Sequence, residues 1–160
     1  MKWNRKFVYP KSIRSTENGI RRYLIGEKKL PSVTSILDAT KSEEDKAALA
    51  NWVERTGLKE SEAIVKAASN RGSKMHAYLE SFLLGQQNLS FFDDNEQYKI
   101  MAKQIIEKGL INRFEEVWGV ECTLYKPDSY SGTCDAVGVY DGRESIIDFK
   151  QSNKPKNLNT

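Results

Sequence analysis

The sequence predicts a mixed α/β domain in which helices pack on a sheet. Three observations lead to this prediction. Residues 1–30 alternate like strands, apolar residues recur at helical spacing over residues 31–116, and β-rich runs fill residues 117–150 before a polar tail, residues 151–160. Helices followed by consecutive strands are typical of folds whose helices cover an antiparallel meander. A chain of 160 residues with 39% hydrophobic residues suits a single domain with one core.

The N-terminal region, residues 1–30, carries the positive charge of the chain. Residues 6–9 and 20–25 are predicted to be strands. The region holds nine Lys or Arg and two Glu, a net charge of +7, whereas the whole chain has +3. A basic segment of this kind suits phosphate binding, although a solvated surface explains the charge asymmetry better when it is taken alone. Arg21, Arg22 and Tyr23 combine charge with an aromatic ring, so they are candidate contacts for single-stranded nucleic acid. A basic surface that is only solvated explains these residues nearly as well.

Five helices are predicted in the middle region. Ser32 is a plausible cap for the first, Thr40-x-x-Glu43 resembles a capping box for the second, and Gly57 closes the second. The clearest helix starts at Asp93, with Asp93-x-x-Glu96 as its cap, and either ends at Gly109 or runs on to about residue 116. The predicted helices are a short one through Val33, Ile36 and Leu37, and longer ones over residues 40–55, 60–68, 71–84 (stopping at Gly85) and 93–108.

The last β-rich region is predicted to form strands over residues 117–125, 133–140 and 143–150. Asp141-Gly142 lies between the last two, and this dipeptide is the strongest short signal for a hairpin turn. A two-residue turn there pairs Tyr140 with Arg143. Counting back along both strands places Asp135 opposite Asp148.

Two opposed carboxylates indicate a metal site. Directly opposed side chains lie on one face of a hairpin, about 5 Å apart, and two negative charges at that separation repel by roughly 3 kcal/mol at an effective dielectric constant of 20. A divalent cation such as Mg²⁺ or Mn²⁺ between Asp135 and Asp148 converts the repulsion into binding. Alternation also places Lys150 on the face of Asp148, where it can orient or deprotonate an attacking water, and turns Phe149 into the core. Asp-x-Lys alone is a weak signal that a surface salt bridge also explains, and the opposing Asp135 makes it more specific.

A third candidate element lies on the helix before residue 84. Gly72, His76 and Glu80 follow one another at intervals of four and lie on one helix face. Glu80 could add a carboxylate to the metal, and His76 could reach the metal or a phosphate, with Lys74 beside them as a candidate DNA contact. An ordinary exposed helix face explains the spacing about equally well.

Composition excludes several classes of protein. Two cysteines, Cys122 and Cys134, are too few for a disulfide framework or a four-cysteine zinc or iron–sulfur site. Reduced thiols favour the cytoplasm, and the basic first thirty residues leave a mitochondrial location open. No apolar run approaches the ~20 residues of a membrane span, so no membrane partner is expected.

In combination, these motifs resemble those of the RecB-like PD-(D/E)XK nucleases. The motifs are Gly72-x-x-x-His76-x-x-x-Glu80, Gly132-Thr133-Cys134-Asp135, and Ile147-Asp148-Phe149-Lys150-Gln151-Ser152. Two further stretches, residues 31–37 and 150–156, resemble the mitochondrial genome maintenance exonucleases and their phage relatives. The resemblance covers roughly residues 20–156.

The resemblance implies a restriction-endonuclease-like core and a Mg²⁺- or Mn²⁺-dependent exonuclease that acts on single-stranded DNA ends. It implies that Lys150 is the catalytic lysine and that Ser152 lies among the DNA contacts. The residues it implies around the metal are His76, Glu80, Asp135, Asp148 and the backbone carbonyl of Phe149.

This sequence departs from the family pattern at two places. Cys134 replaces the proline that names the superfamily, at a position that points away from the metal face. The family continues after its lysine with a helix carrying Gln-x-x-x-Tyr and a further strand, and residues 151–160 contain no counterpart. The expectation is a core that lacks its last helix and strand and that associates with itself or with a complementary fragment.

Two alternatives to the exonuclease stay open at this point. One is a catalytically weak nucleic-acid-binding or assembly fragment. The other is a structure-specific endonuclease on the same core, since the path of DNA past the site cannot be read from the sequence.

Overall fold

The computed structural model describes residues 1–86 and 96–152 and divides the chain into two compact units. The first unit comprises Met1–Arg5, Ala67–Val120 and Asp135–Thr160, and the second comprises Lys6–Lys66 and Glu121–Cys134. The described strands are β1 (Lys2–Trp3), β2 (Ile13–Glu17), β3 (Ile20–Ile25), β4 (Lys28–Pro31), β5 (Phe114–Lys126), β6 (Tyr130–Tyr140) and β7 (Arg143–Ile147). The described helices are α1 (Val33–Ala39), α2 (Glu43–Thr56), α3 (Leu58–Leu83) and α4 (Gln97–Ile105), and a π-helical turn, Ile106–Leu110, follows α4.

The described residues form both helices and strands, which confirms the predicted mixed α/β character. The strands form two sheets. One sheet has the order β1-β5-β6-β7, with β1 parallel to β5 and with β6 antiparallel to β7. The other has the order β2-β3-β4 and is antiparallel throughout.

The N-terminal strands were predicted only in part. The prediction for residues 20–25 is confirmed as β3, whereas the prediction of a strand at residues 6–9 is wrong. β2 and β4 were not predicted. The overlooked signal is Asn18-Gly19, which joins β2 to β3 with φ values of 51° and 77°. Both residues of a two-residue type I′ turn have positive φ, and Asn-Gly is a preferred pair for it.

The helix starts follow the local hydrogen bonds of serine and threonine. Ser32 caps α1 as predicted, and its Oγ accepts the Ser35 N–H at 3.0 Å. The prediction that Thr40 caps α2 is wrong. Ser42 takes that place, with its Oγ accepting the Asp45 N–H at 3.1 Å, because the Thr40 hydroxyl instead donates to the Ile36 carbonyl at 3.0 Å, at the end of α1. Gly57 ends α2 as predicted, with φ of 85°.

Two corrections concern the longer helices. The helices predicted over residues 60–68 and 71–84 are one continuous helix, α3, of 26 residues. No proline lies in residues 69–73, and a single glycine, Gly72, weakens a helix without stopping it. The helix predicted to run to Lys108 is α-helical only to Ile105 before the π-helical turn. Asp93, the predicted cap, lies outside the described residues.

The core of the first unit is built on one face of α3. Met75, Leu79 and Leu83 follow at intervals of four and are at most 1% exposed, which makes them the apolar row of this helix. They belong to one cluster with residues of α4, the π-helical turn, the sheet and the segment after β7, namely Ala102, Ile106, Leu110, Phe114, Val117, Ala136 and Phe149. Because His76 and Glu80 each directly follow a member of this row, they lie at its edge. In the described part of the chain, no helix has the length and apolarity needed to cross a membrane.

Candidate metal-binding and catalytic site

The centre of the candidate site is a pair formed by α3 and β6. His76 Nδ1 lies 3.0 Å from Asp135 Oδ1, although the two residues are 59 positions apart in the sequence. The His76 and Asp135 side chains are 31% and 13% exposed, so both are partly shielded from solvent. The His76 and Phe149 rings also form a T-shaped contact, with centroids 6.3 Å apart and an interplanar angle of 74°. The structure therefore brings together residues that the sequence suggested on separate grounds.

The second oxygen of Asp135 anchors the segment after β7. Oδ2 accepts a short hydrogen bond from the backbone N–H of Phe149. Burial raises the pKa of Asp135, but the hydrogen bonds from His76 and the Phe149 N–H and the charge of Lys150 outweigh it, so the pKa lies below its ordinary value. Asp135 is consequently a fixed and ionised carboxylate at neutral pH.

The hairpin has the register that the sequence predicted. Tyr140 pairs with Arg143 and Ala136 with Ile147, and the turn residues Asp141 and Gly142 both have positive φ, 46° and 74°. The prediction that the last strand reaches residue 150 is wrong, because β7 ends at Ile147. Beyond that point the N–H of Phe149 bonds to a side chain, that of Asp135, instead of a backbone carbonyl.

Asp148 and Lys150 form an ion pair beside this anchor. Lys150 Nζ lies 2.9 Å from one carboxylate oxygen of Asp148 and 2.8 Å from the other. Their side chains are 54% and 60% exposed, whereas Phe149 between them is 6% exposed, which confirms the predicted alternation. The geometry gives each aspartate its own partner: His76 for Asp135 and Lys150 for Asp148. The surface salt bridge that also explains the Asp-x-Lys pattern is therefore present. It lies next to the anchored carboxylate of Asp135.

Glu80 lies one turn after His76 on α3 and is half-buried. Its place on the helix agrees with the predicted row, and its role as a metal ligand stays a prediction, as does that of the Phe149 carbonyl.

Sequence reasoning missed Glu121, an exposed residue of β5. Its backbone has φ of 51°, a left-handed conformation that is uncommon for a residue other than glycine. Such outliers cluster at functional sites. A distortion within a strand leaves no pattern in the sequence, so no signal could have identified it.

The predicted DNA contacts have different environments. Arg21 and Arg22 are half-buried on β3, while Tyr23 is 6% exposed, so its ring offers little surface for stacking. Lys74 lies 3.6 Å from Glu96 and over the ring of Tyr98. Ser152 is exposed. All five stay predictions as DNA contacts.

A groove in the first unit reaches Lys150. Its volume is about 430 Å³, and it is lined by Met101, Gln104, Ile105, Lys108, Gly109, Lys150 and Ser152. Its charged lining residues are Lys108 and Lys150, of which Lys150 is the one paired with Asp148. Met101 and Ile105 are half-buried and give it an apolar side.

The donor atoms at this site fit a divalent cation. An ionised carboxylate is a ligand for hard cations such as Mg²⁺ and Mn²⁺, and a neutral imidazole also serves first-row metals. His76 and Asp135 are among the described side chains that could hold a metal ion. The hydrogen bonds on Asp135 fix its orientation, as those on metal-ligating carboxylates generally do.

No family model matches the chain. It is similar to two curated proteins, each called mitochondrial genome maintenance exonuclease 1. The chain is 31% identical to the protein of Mus musculus over 134 residues, which are 81% of this chain and 39% of that protein. It is 29% identical to the protein of Homo sapiens over 135 residues, which are 79% of this chain and 38% of that protein. The chain thus spans about two fifths of the length of these relatives.

Proposed function

We propose that this chain carries the catalytic core of a metal-dependent nuclease of the RecB-like PD-(D/E)XK type, an exonuclease that hydrolyses phosphodiester bonds at single-stranded DNA ends. The observation that carries the proposal is the anchored carboxylate of Asp135, held by His76 and by the Phe149 N–H beside Asp148 and Lys150. Similarity to two proteins named as exonucleases supports the same reaction class.

The proposed ion is Mg²⁺ or Mn²⁺. Asp135, Asp148, Glu80 and His76 would hold it together with the Phe149 carbonyl, and it would supply positive charge for the scissile phosphate and for an attacking water. Asp135 is suited to this role because its low pKa keeps it charged without a proton to displace.

Lys150 is proposed to act at the phosphate. Its ammonium group is held at 2.8 Å by Asp148 and is exposed, so it can orient the water and neutralise charge that develops on the phosphate oxygens. The groove that Lys150 shares with Lys108 offers phosphate contacts on the same side. We propose that a single strand lies along this groove, with sugar or base against Met101 and Ile105.

The test is cleavage of linear and circular single-stranded DNA of the same length, with Mg²⁺ or with a chelator. We expect Mg²⁺-dependent loss of the linear DNA alone. Lys150→Ala should lower turnover about 10²-fold while calorimetry shows that divalent-ion affinity persists. Arg143→Ala is the matched control, because Arg143 is an exposed cation at the opposite end of β7.

Each other outcome selects a different function. Cleavage of circular DNA would identify an endonuclease. Retention of DNA without cleavage of either form would identify a binding fragment. Normal turnover in Lys150→Ala would show that Asp148 and Lys150 form only a surface ion pair.

A further inference from the structure

The segment that carries Asp148 and Lys150 is held by its two other residues. Backbone pairing with β6 ends at Ile147, yet exposure continues to alternate, with Asp148 and Lys150 exposed, Phe149 buried and Gln151 half-buried. Phe149 is fixed through its N–H to Asp135 and through its ring in the core. Gln151 is the corresponding anchor on the other side of Lys150.

Gln151 is bound to α3 by both ends of its amide group. Its Oε1 accepts a hydrogen bond from Arg71 Nε at 2.9 Å, and its Nε2 donates to the carbonyl of Ala68 at 2.5 Å. Both partners lie on the same helix as His76 and Glu80. A glutamine side chain in solution samples many rotamers, so two simultaneous bonds define one position for it.

Gly72 provides the space for this contact. A Cβ atom at position 72 would lie 2.9 Å from Gln151 Nε2 and 3.6 Å from its Cδ. That glycine is not in a left-handed conformation, so an alanine there would disturb the amide end of the Gln151 side chain and not the backbone. The helix row that starts at Gly72 and continues with His76 and Glu80 therefore combines a docking point with candidate ligands.

We infer that Gln151 is a positioning residue, which with Arg71 and Gly72 holds Lys150 and Asp148 at a set position relative to His76 and Glu80 on α3. The inference rests on the proposed function, and it names the residues that determine the geometry of the proposed active site. A misplacement of about 1 Å at a reacting group can cost about 10²-fold in rate. Loss of Gln151 should thus affect the chemical step more than the binding of DNA.

The experiment compares Gln151→Ala, Gly72→Ala and the double variant with wild type in steady-state cleavage of single-stranded DNA. We expect kcat to fall by about 10- to 100-fold in each single variant, with KM within about threefold. The double variant should be no worse than the poorer single variant, because both changes remove the same contact. Arg71→Lys should recover part of the activity lost in Arg71→Ala, since a lysine can still donate to Oε1. Gln97→Ala is the control, because Gln97 lies 3.5 Å from Arg71 and does not touch Gln151 in the described contacts.

A second measurement needs no DNA and no cleavage. The backbone order parameter of Lys150, measured by ¹⁵N relaxation, should be near about 0.85 in wild type and in Gln97→Ala, and should fall toward about 0.6 in Gln151→Ala. If wild type proves inactive, the proposed function fails, and this order parameter still decides whether Gln151 positions Lys150. An unchanged order parameter in Gln151→Ala, or an unchanged kcat in an active enzyme, would overturn the inference.

Discussion

At the residue scale, the two aspartates of the candidate site have different physical situations. Asp135 is 13% exposed and accepts hydrogen bonds with both oxygens, whereas Asp148 is 54% exposed and pairs with the lysine two positions later. From the sequence, the two aspartates are an equivalent pair that repel each other. In the structure, only Asp135 joins separate segments of the fold, through His76 and the Phe149 N–H.

Replacing each aspartate by alanine should separate stability from activity. Asp135→Ala leaves the Phe149 N–H without its acceptor, so the free energy of unfolding should fall by about 1–3 kcal/mol. Asp148→Ala should change it by less than about 0.5 kcal/mol, since exposed ion pairs contribute little. Both should abolish Mg²⁺-dependent cleavage. Urea unfolding and the DNA assay measure the two effects.

Asp128→Ala serves as the control for this pair, because Asp128 forms an exposed ion pair with Lys28 and has no proposed catalytic role. Full cleavage activity in either site variant would remove that residue from the metal site. Equal stability losses in the two site variants would show that the hydrogen bonds of Asp135 do not distinguish it.

At the element scale, the hairpin that carries the site depends on close packing between β5 and β6. A Cβ atom on Gly138 would lie 1.9 Å from the backbone oxygen of Glu116 and 2.5 Å from Phe114 Cε2. A backbone oxygen in a sheet has no rotamer by which to move away. Glycine is consequently required here for space, in the strand that also carries Asp135.

Gly138→Ala should lower the free energy of unfolding by about 3 kcal/mol or more, since overpacking costs about 1–3 kcal/mol even where side chains can adjust. Gly109→Ala is the matched control: nothing lies within 4 Å of its Cβ position, so its effect should be within about 1 kcal/mol. Thermal and urea unfolding of both variants test this. Equal stability of the two variants would mean that β5 and β6 separate at little cost.

At the scale of the whole molecule, some of the basic residues are paired with carboxylates. Lys28 and Lys29 form ion pairs with Asp128 and Glu17, on and beside the sheet that contains Arg21 and Arg22. A lysine already paired with a carboxylate releases fewer counterions when it meets a phosphate. The contribution of each basic residue to DNA affinity therefore depends on its local partner as well as on the net charge.

Affinity for single-stranded DNA should fall steeply as salt increases. Replacing Arg21 and Arg22 together by alanine should lower the slope of log affinity against log salt by about one to two units, since each phosphate contact contributes about 0.7 on single strands. Lys28→Ala/Lys29→Ala removes the same charge from the same sheet and should lower the slope less. Fluorescence anisotropy over a salt series measures both. Binding independent of salt, or equal slopes in the two double variants, would favour a merely solvated basic surface.

Local features of this protein could be predicted from its sequence because they depend on residues a few positions apart. Asp141-Gly142 determined the turn and so the register of β6 and β7, and Ser32 and Gly57 marked the start of α1 and the end of α2. The exposure of Asp148 and Lys150 around a buried Phe149 followed from alternation alone. Each is decided by backbone conformation and short-range hydrogen bonds, which residue type and spacing report directly.

Only the tertiary structure decided the features that join distant segments. The pairing of His76 with Asp135, the end of β7 at Ile147 and the docking of Gln151 against Gly72 all depend on how α3 lies against the strands. Such contacts have no period in the sequence, because either partner is compatible with many others until the core brings the two together. The physical reason is that a hydrogen bond between remote residues becomes favourable only after the packing of Met75, Leu79 and Leu83 has already ordered both.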